Sequence, residues 1–246
     1  MMNRPGAVDL FADQLDDLGW VRDLLVAGSL ATGDHRPGVS DLDLVAITGG
    51  PVTPQRQAAL TVLHQRLDAG AAHGLKLGCV YVDEARLADP RAAHPTWTHG
   101  RLVRRILSGI TRAELTRHGF AVRGRAPGAL LPVMTDDDVR AAARAELTGY
   151  WAWAARRPWI WLDPELADLG LTSMARGRHA VRTGRLLTKS AAVEQAAAPE
   201  RLRSELHARR RGEAVVSPRW GTAWIAWNDC RRTVRSFGDR PPGAAG

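Results

Sequence analysis

Eleven residues separate the pair Gly28-Ser29 from the alternating stretch Asp41-Leu42-Asp43-Leu44. The pair ends an apolar run, Leu24-Leu25-Val26-Ala27, and the alternating stretch opens a second one. In a strand, residues i and i+2 share a face. Asp41 and Asp43 therefore project together, while Leu42 and Leu44 anchor the opposite face in a core. Two carboxylates side by side repel each other unless a cation lies between them, and an oxygen pair of this kind suits Mg²⁺. Gly28 lets the backbone approach closely, and Ser29 offers N–H and hydroxyl donors to phosphate oxygens. The two motifs together describe a site for a metal-bound nucleoside triphosphate, with Gly28 and Ser29 on phosphate and Asp41 and Asp43 on metal.

The flanking patterns read as α/β (α+β). Apolar spacing predicts a helix over residues 8–18 and strands over 22–27 and 41–47. Thr53 and Pro54 are suited to N-cap and first helical residue, and the helix they open runs to Ala69. Its inner face is expected to carry Ala59, Leu60, Leu63 and Leu67. A third strand is predicted over 75–82 and a loop over 89–96. Helices follow over 100–108 and 111–117, then a short strand over 120–123. The Gly- and Pro-rich stretch 124–132 reads as a linker. Beyond it the pattern is helical throughout. Thr135 with the three aspartates after it is a helix start, and that helix is expected to reach Arg156. Further helices are expected over 164–183, 190–211 and 218–237. The domains are thus placed at 1–130 and 131–238, with 239–246 as a disordered tail.

A chain of 246 residues with 45% hydrophobic residues and nine tryptophans can bury two modest cores. No apolar run is long enough to span a bilayer, and residues 1–30 lack the apolar segment of a signal peptide. Cys79 lies in a strand pattern far from Cys230, so buried thiols are expected rather than a disulfide. These features read as a cytoplasmic protein. The net charge of +8 comes almost wholly from arginine. The arginines are scattered, without an aromatic-interleaved basic stripe, so a coding bias explains them better than nucleic-acid binding does. Against that bias, the two lysines Lys76 and Lys189 stand out.

At Gly28-Ser29 and Asp41-Leu42-Asp43 the sequence resembles the nucleotidyltransferase superfamily, whose signature is Gly with Gly or Ser, a loop, then Asp-apolar-Asp/Glu. A second likeness lies in Leu171-Thr172-Ser173-Met174-Ala175-Arg176 and in Arg182-Thr183-Gly184 through Lys189-Ser190. These stretches look like the C-terminal helical domain of the streptomycin/spectinomycin adenylyltransferases. The resemblance implies a small mixed-sheet nucleotidyltransferase domain followed by an all-α helical bundle. It also implies Mg²⁺ and ATP, with Arg176 and Lys189 near the nucleotide phosphates. The implied reaction is in-line attack of a substrate hydroxyl on the α-phosphorus, releasing pyrophosphate. The implied partners are a nucleoside triphosphate and a hydroxylated, aminoglycoside-like small molecule, which would connect the chain to antibiotic resistance.

One departure from the family matters. A third carboxylate often stands on the next strand as metal ligand or general base. Pattern alignment places Lys76 there, in Leu75-Lys76-Leu77-Gly78-Cys79. Losing a general base lowers a rate about 10²- to 10⁴-fold. Lys76 is therefore carried as a catalytic candidate, either as a phosphate-directed charge or as a base, with Asp83 and Glu84 as substitutes under a shifted register. Acidic and aromatic groups for a polycationic acceptor are sought in Trp161, Asp163, Glu165 and Asp168, of which Asp163 and Glu165 are kept. Two other readings stand beside the small-molecule transferase: nucleotidylation of a protein or nucleic acid in a toxin–antitoxin setting, and a degenerate nucleotide-binding protein.

Overall fold

The computed structural model describes residues 4–238, so the expected tail at 239–246 lies outside the described residues. The chain divides into two compact units, Met1–Met134 and Thr135–Gly246.

In the first unit, α1 (Gly6–Asp16) precedes β1 (Val21–Val26), α2 (Gly28–Ala31), β2 (Leu42–Thr48), α3 (Pro54–Ala69) and β3 (Leu77–Asp83). Then come β4 (Ala93–Thr98), β5 (Arg101–Ile106), α4 (Gly109–His118), β6 (Phe120–Arg123) and α5 (Pro127–Leu130). The strands form one mixed sheet in the order β5-β4-β3-β2-β1-β6. β2 and β3, joined through α3, are parallel, and the other neighbours are antiparallel. Alternation sorts the core. Leu42, Leu44, Leu77 and Cys79 pack on one face with Phe11 of α1 and Leu60 of α3. Leu25, Val45, Ile47 and Val82 pack on the other with Leu107, Leu115 and Leu131. Thr53 caps α3 as expected, its hydroxyl accepting from the Arg56 N–H at 3.3 Å. The buried face of that helix is Leu60, His64 and Leu67, with Ala59 and Leu63 half-buried beside it.

Residues 89–108 depart from expectation. In place of a loop and a helix they form the β4–β5 hairpin, turned at His99 (φ +51°) and Gly100 (φ +71°). Two consecutive positive φ values make the turn whose twist matches a hairpin. His-Gly is an unusual pair for it, and Pro95 is a residue that strands disfavour. The spacing of Leu102, Val103 and Ile106 fits a helix as well as a strand, and cross-strand pairing decides between them.

The stretch 124–132 is no loose linker. The Arg125 backbone N–H and its guanidinium all donate to Asp23, which is 1% exposed on β1, at 2.6–3.1 Å. Arg125 also donates to Glu84 at 2.6 Å, and Glu84 accepts from Arg22 at 2.7 Å. This ion network ties the end of β6 to the far ends of β1 and β3.

The second unit is all-helical: α6 (Asp136–Glu146), a π-helical turn (Leu147–Trp151), α7 (Ala152–Ala155), a 3₁₀ turn (Pro158–Leu162), α8 (Pro164–Thr183), α9 (Lys189–Glu194), α10 (Glu200–Arg210) and α11 (Arg219–Gly238). Thr135 and Asp138 form a reciprocal capping box at the start of α6. The helix expected over 190–211 is two, broken between Glu194 and Glu200, where Pro199 cannot continue a helix. Both cysteines are free and buried. No described helix is long and apolar enough to cross a membrane.

Candidate functional site

β1 and β2 run antiparallel, so the end of β1 meets the start of β2: Val26 pairs with Leu44, and the Ala27 N–H donates to the Asp43 carbonyl at 2.8 Å. The chain then turns through Gly28 (φ +61°) into the single helical turn of α2. A side chain is disfavoured at that φ. Packing excludes one as well, because a Cβ on Gly28 would fall 2.9 Å from Cγ of Asp43 and closer still to its carboxylate oxygen. The sequence thus brings its two motifs into van der Waals contact through the absence of a side chain.

Leu42 and Leu44 are buried while Asp41 is half-buried and Asp43 exposed, the alternation expected from the sequence. The connecting loop is folded back on α2. The Asp34 N–H donates to the Ser29 carbonyl at 2.9 Å, and Thr32 Oγ1 to the Gly28 carbonyl at 3.2 Å. Ser40, buried next to Asp41, accepts from the Arg36 N–H at 3.0 Å and donates its own N–H back to Arg36 at 2.8 Å. Ser29 differs. Its Oγ is buried with no hydrogen-bond partner, at a residue 7% exposed. A buried hydroxyl left unsatisfied is costly unless something else completes it.

Among the described residues, no group of three or more His, Cys, Asp or Glu side chains comes together to hold a metal ion. The residues present still fit Mg²⁺ carried by a nucleotide, which is held by one or two carboxylates with the rest of its shell from phosphate and water. The fit rests on Asp41 and Asp43 as the oxygen pair and on the orphaned Ser29 hydroxyl beside them.

Lys76 lies just before β3, exposed and in the left-handed region (φ +49°). Its carbonyl accepts from the N–H of Leu42, the residue between the two aspartates, at 3.3 Å. Leu42 pairs with Leu77 and Asp43 with Gly78, so Lys76 stands at the level of Asp41 and a glycine at the level of Asp43. Asp83 and Glu84 do not substitute. Asp83 is paired with Thr48 at the other end of the ladder and caps the following turn, accepting from the Ala85 N–H at 3.2 Å. Glu84 is held by Arg125 and Arg22, which pull its pKa below the usual carboxylate value.

In the second unit, Arg176 on α8 donates from Nε to the Leu187 carbonyl at 3.0 Å. Lys189 is the first residue of α9, after the capping Thr188. Arg210, which the sequence reading did not single out, donates from Nε to Ser190 Oγ at 3.3 Å. Two arginines therefore bracket the segment that carries Lys189.

Asp163 is the N-cap of α8, accepting from the Glu165 N–H at 2.9 Å, and Glu165 is exposed in its first turn. The cap explains Asp163 without a ligand. Trp161 is core, its indole N–H donating to the Ala154 carbonyl at 3.1 Å, and Asp168 is bidentate to Arg209 at 2.6 and 2.9 Å.

Residues 8–71 match the family model described as nucleotidyltransferase domain. No curated protein sequence matches the chain. Among solved structures, the chain resembles spectinomycin adenyltransferase AAD(9) from Enterococcus faecialis, determined with ATP and spectinomycin, at a TM-score of 0.65 and 14% identity. The alignment covers 94% of this chain and 99% of that one. The likeness to nucleotidyltransferases read from the sequence is met by the family model over residues 8–71, and the likeness of fold to the solved structure extends over 94% of the chain.

Proposed function

We propose that the protein is a nucleotidyltransferase that moves a nucleoside monophosphate, AMP from ATP, onto a small-molecule acceptor. The observation that carries this reading is the contact between Gly28 and Asp43 with the unpartnered Ser29 hydroxyl beside it. Asp41 and Asp43 are proposed as the ligands of nucleotide-borne Mg²⁺, which when bound would draw charge from the phosphates and favour departure of pyrophosphate. Ser29 Oγ and the α2 N–H groups would orient the triphosphate. Arg176 and Lys189, and with them Arg210, are proposed as cations for its phosphates.

For the acceptor, the likeness to a spectinomycin adenyltransferase supports a hydroxylated, aminoglycoside-like compound, with Glu165 left as an exposed carboxylate toward it. The test is pyrophosphate release from each nucleoside triphosphate with Mg²⁺ across acceptor panels, with Asp41→Asn as control. Acceptor-dependent release that the variant abolishes supports the transferase.

A further inference from the structure

A helix lying on a globular core ordinarily has one apolar stripe. α3 turns Leu60, His64 and Leu67 inward and has a second stripe beside them. Ala59, Val62, Leu63 and Arg66 follow the spacing i, i+3, i+4, i+7, half-buried or exposed. On α1 and the residues just after it, Leu10, Gln14, Asp17 and Leu18 recur in the same way. The two stripes flank a groove of about 610 Å³, whose lining includes Gln14, Asp17, Leu18, Val62, Leu63 and Arg66. Val62 is 45% exposed, and Leu10, one turn before Gln14, is 41% exposed.

The polar groups of this groove are incomplete. Gln14 Oε1 is buried and accepts no hydrogen bond among the described residues. Asp17 and Arg66 carry opposite charges, yet neither side chain has an ion pair or hydrogen bond among the described residues. Their neighbours are occupied: Asp9 pairs with Arg4, and Asp13 and Asp16 pair with Arg123. Charge is also segregated between the helices. The segment from Gly6 to Asp17 has Asp9, Asp13, Asp16 and Asp17 and no Lys or Arg. α3 has Arg56 and Arg66, and its one acid, Asp68, accepts from the Trp97 indole N–H at 3.0 Å. The whole chain is +8, so two copies repel in most orientations. A face that sets an acidic helix beside a basic one is where they attract.

We propose that this face docks a second copy of the chain, in a two-fold dimer with α1 of each protomer laid against α3 of the other. A two-fold pairs residue i with j and j with i, so one contact between Asp17 and Arg66 brings its twin. An acidic partner of another kind would satisfy Arg66 and leave Asp17 opposed, and a basic one the reverse. A second copy satisfies both. It also covers Leu10 and Val62, and its own Gln14 amide, a donor as well as an acceptor, is available to the orphaned Oε1. None of these residues belongs to the nucleotide site proposed above, and the proposal stands apart from that reading.

Sedimentation velocity of the full chain over a concentration series tests it, with circular dichroism as the control for folding. Expected is a dimer that dissociates on dilution and with added salt. Asp17→Arg and Arg66→Asp are each expected to weaken dimerisation roughly tenfold or more, because each reversal is felt twice across a two-fold. The double variant Asp17→Arg/Arg66→Asp is expected to dimerise like the parent, and Val62→Glu to be monomeric. All three positions are exposed, so the variants keep the parent's helix signal. A parent that stays monomeric up to about 100 µM overturns the proposal. A dimer that survives both single reversals and Val62→Glu overturns it as well, since the interface then lies elsewhere. So does a dimer lost in the single reversals and not regained in the double variant.

Discussion

The α-carbon of Gly28 and the carboxylate of Asp43 occupy neighbouring space so closely that a single methyl group on the first would displace the second. Gly28 and Asp43, proposed for phosphate and metal, are thereby one packing unit. Gly28→Ala is expected to lose roughly 1–2 kcal/mol of stability from its φ alone, with Mg²⁺-dependent ATP binding reduced at least tenfold. The double variant Gly28→Ala/Asp43→Ala is expected to recover part of the melting temperature and none of the binding. Thermal melts and calorimetry on the four proteins of this cycle check it. Additive melting effects would show that the two residues do not touch.

Ser29 and Ser40 make a paired test. Ser40→Ala removes an acceptor used by the Arg36 N–H and is expected to lose about 1 kcal/mol. Ser29→Ala removes a buried hydroxyl that bonds nothing in the protein. It is expected to melt at or slightly above the parent, with ATP affinity lowered about fivefold to tenfold. Denaturant unfolding and nucleotide titration on both variants separate the two roles.

Arg210→Ala is expected to weaken ATP binding several-fold, in parallel with Lys189→Ala, because Arg210 stands on Ser190 beside that lysine. Arg209→Ala is the contrast. It breaks the bidentate pair with half-buried Asp168 and is expected to lower stability rather than nucleotide affinity. Equal ATP affinities for Arg210→Ala and the parent would contradict the role proposed for Arg210.

His64 gives the acid side of the stability profile a cause. It is fully buried against Trp97, with ring centroids 4.8 Å apart, and its Nε2 lies 2.7 Å from the Tyr81 hydroxyl. Burial lowers its pKa from 6.5 to about 3. Above pH 6.5 both folded and unfolded chains hold it neutral, so it has no pH effect there. Below that value the unfolded chain takes up a proton that the folded one refuses, and stability falls until about pH 3. Urea unfolding at several pH values is expected to show a steeper loss between pH 6.5 and 4 for the parent than for His64→Phe. Parallel curves would contradict this.

How much of this was legible before the structure depends on the length scale of the signal. Asp41 and Asp43 were legible because strand alternation and the burial of Leu42 and Leu44 are local consequences of one pattern. Thr53, Thr135 and the helix over Pro164–Thr183 were legible for the same reason, since caps and spacing act within a turn or two. The β4–β5 hairpin was not, because Leu102, Val103 and Ile106 satisfy two periods and only pairing with β4 selects one. Pro199 carries a local signal for the break before α10, since proline cannot continue a helix. The site was half legible. The motif residues could be read, but the closeness of Gly28 to Asp43 and the orphaned Ser29 hydroxyl exist only once distant segments meet.

Gly28, Ser29, Asp41 and Asp43 are proposed together as the site for a Mg²⁺-bound nucleoside triphosphate. The most direct measurement is calorimetric titration of the full chain with ATP, with Mg²⁺ and with EDTA, on the parent and on Asp41→Asn and Asp43→Asn. Expected is binding that requires Mg²⁺ and is weakened at least tenfold in both variants while their melting temperatures hold. ATP affinity that is the same with EDTA, or unchanged in both variants, would contradict it.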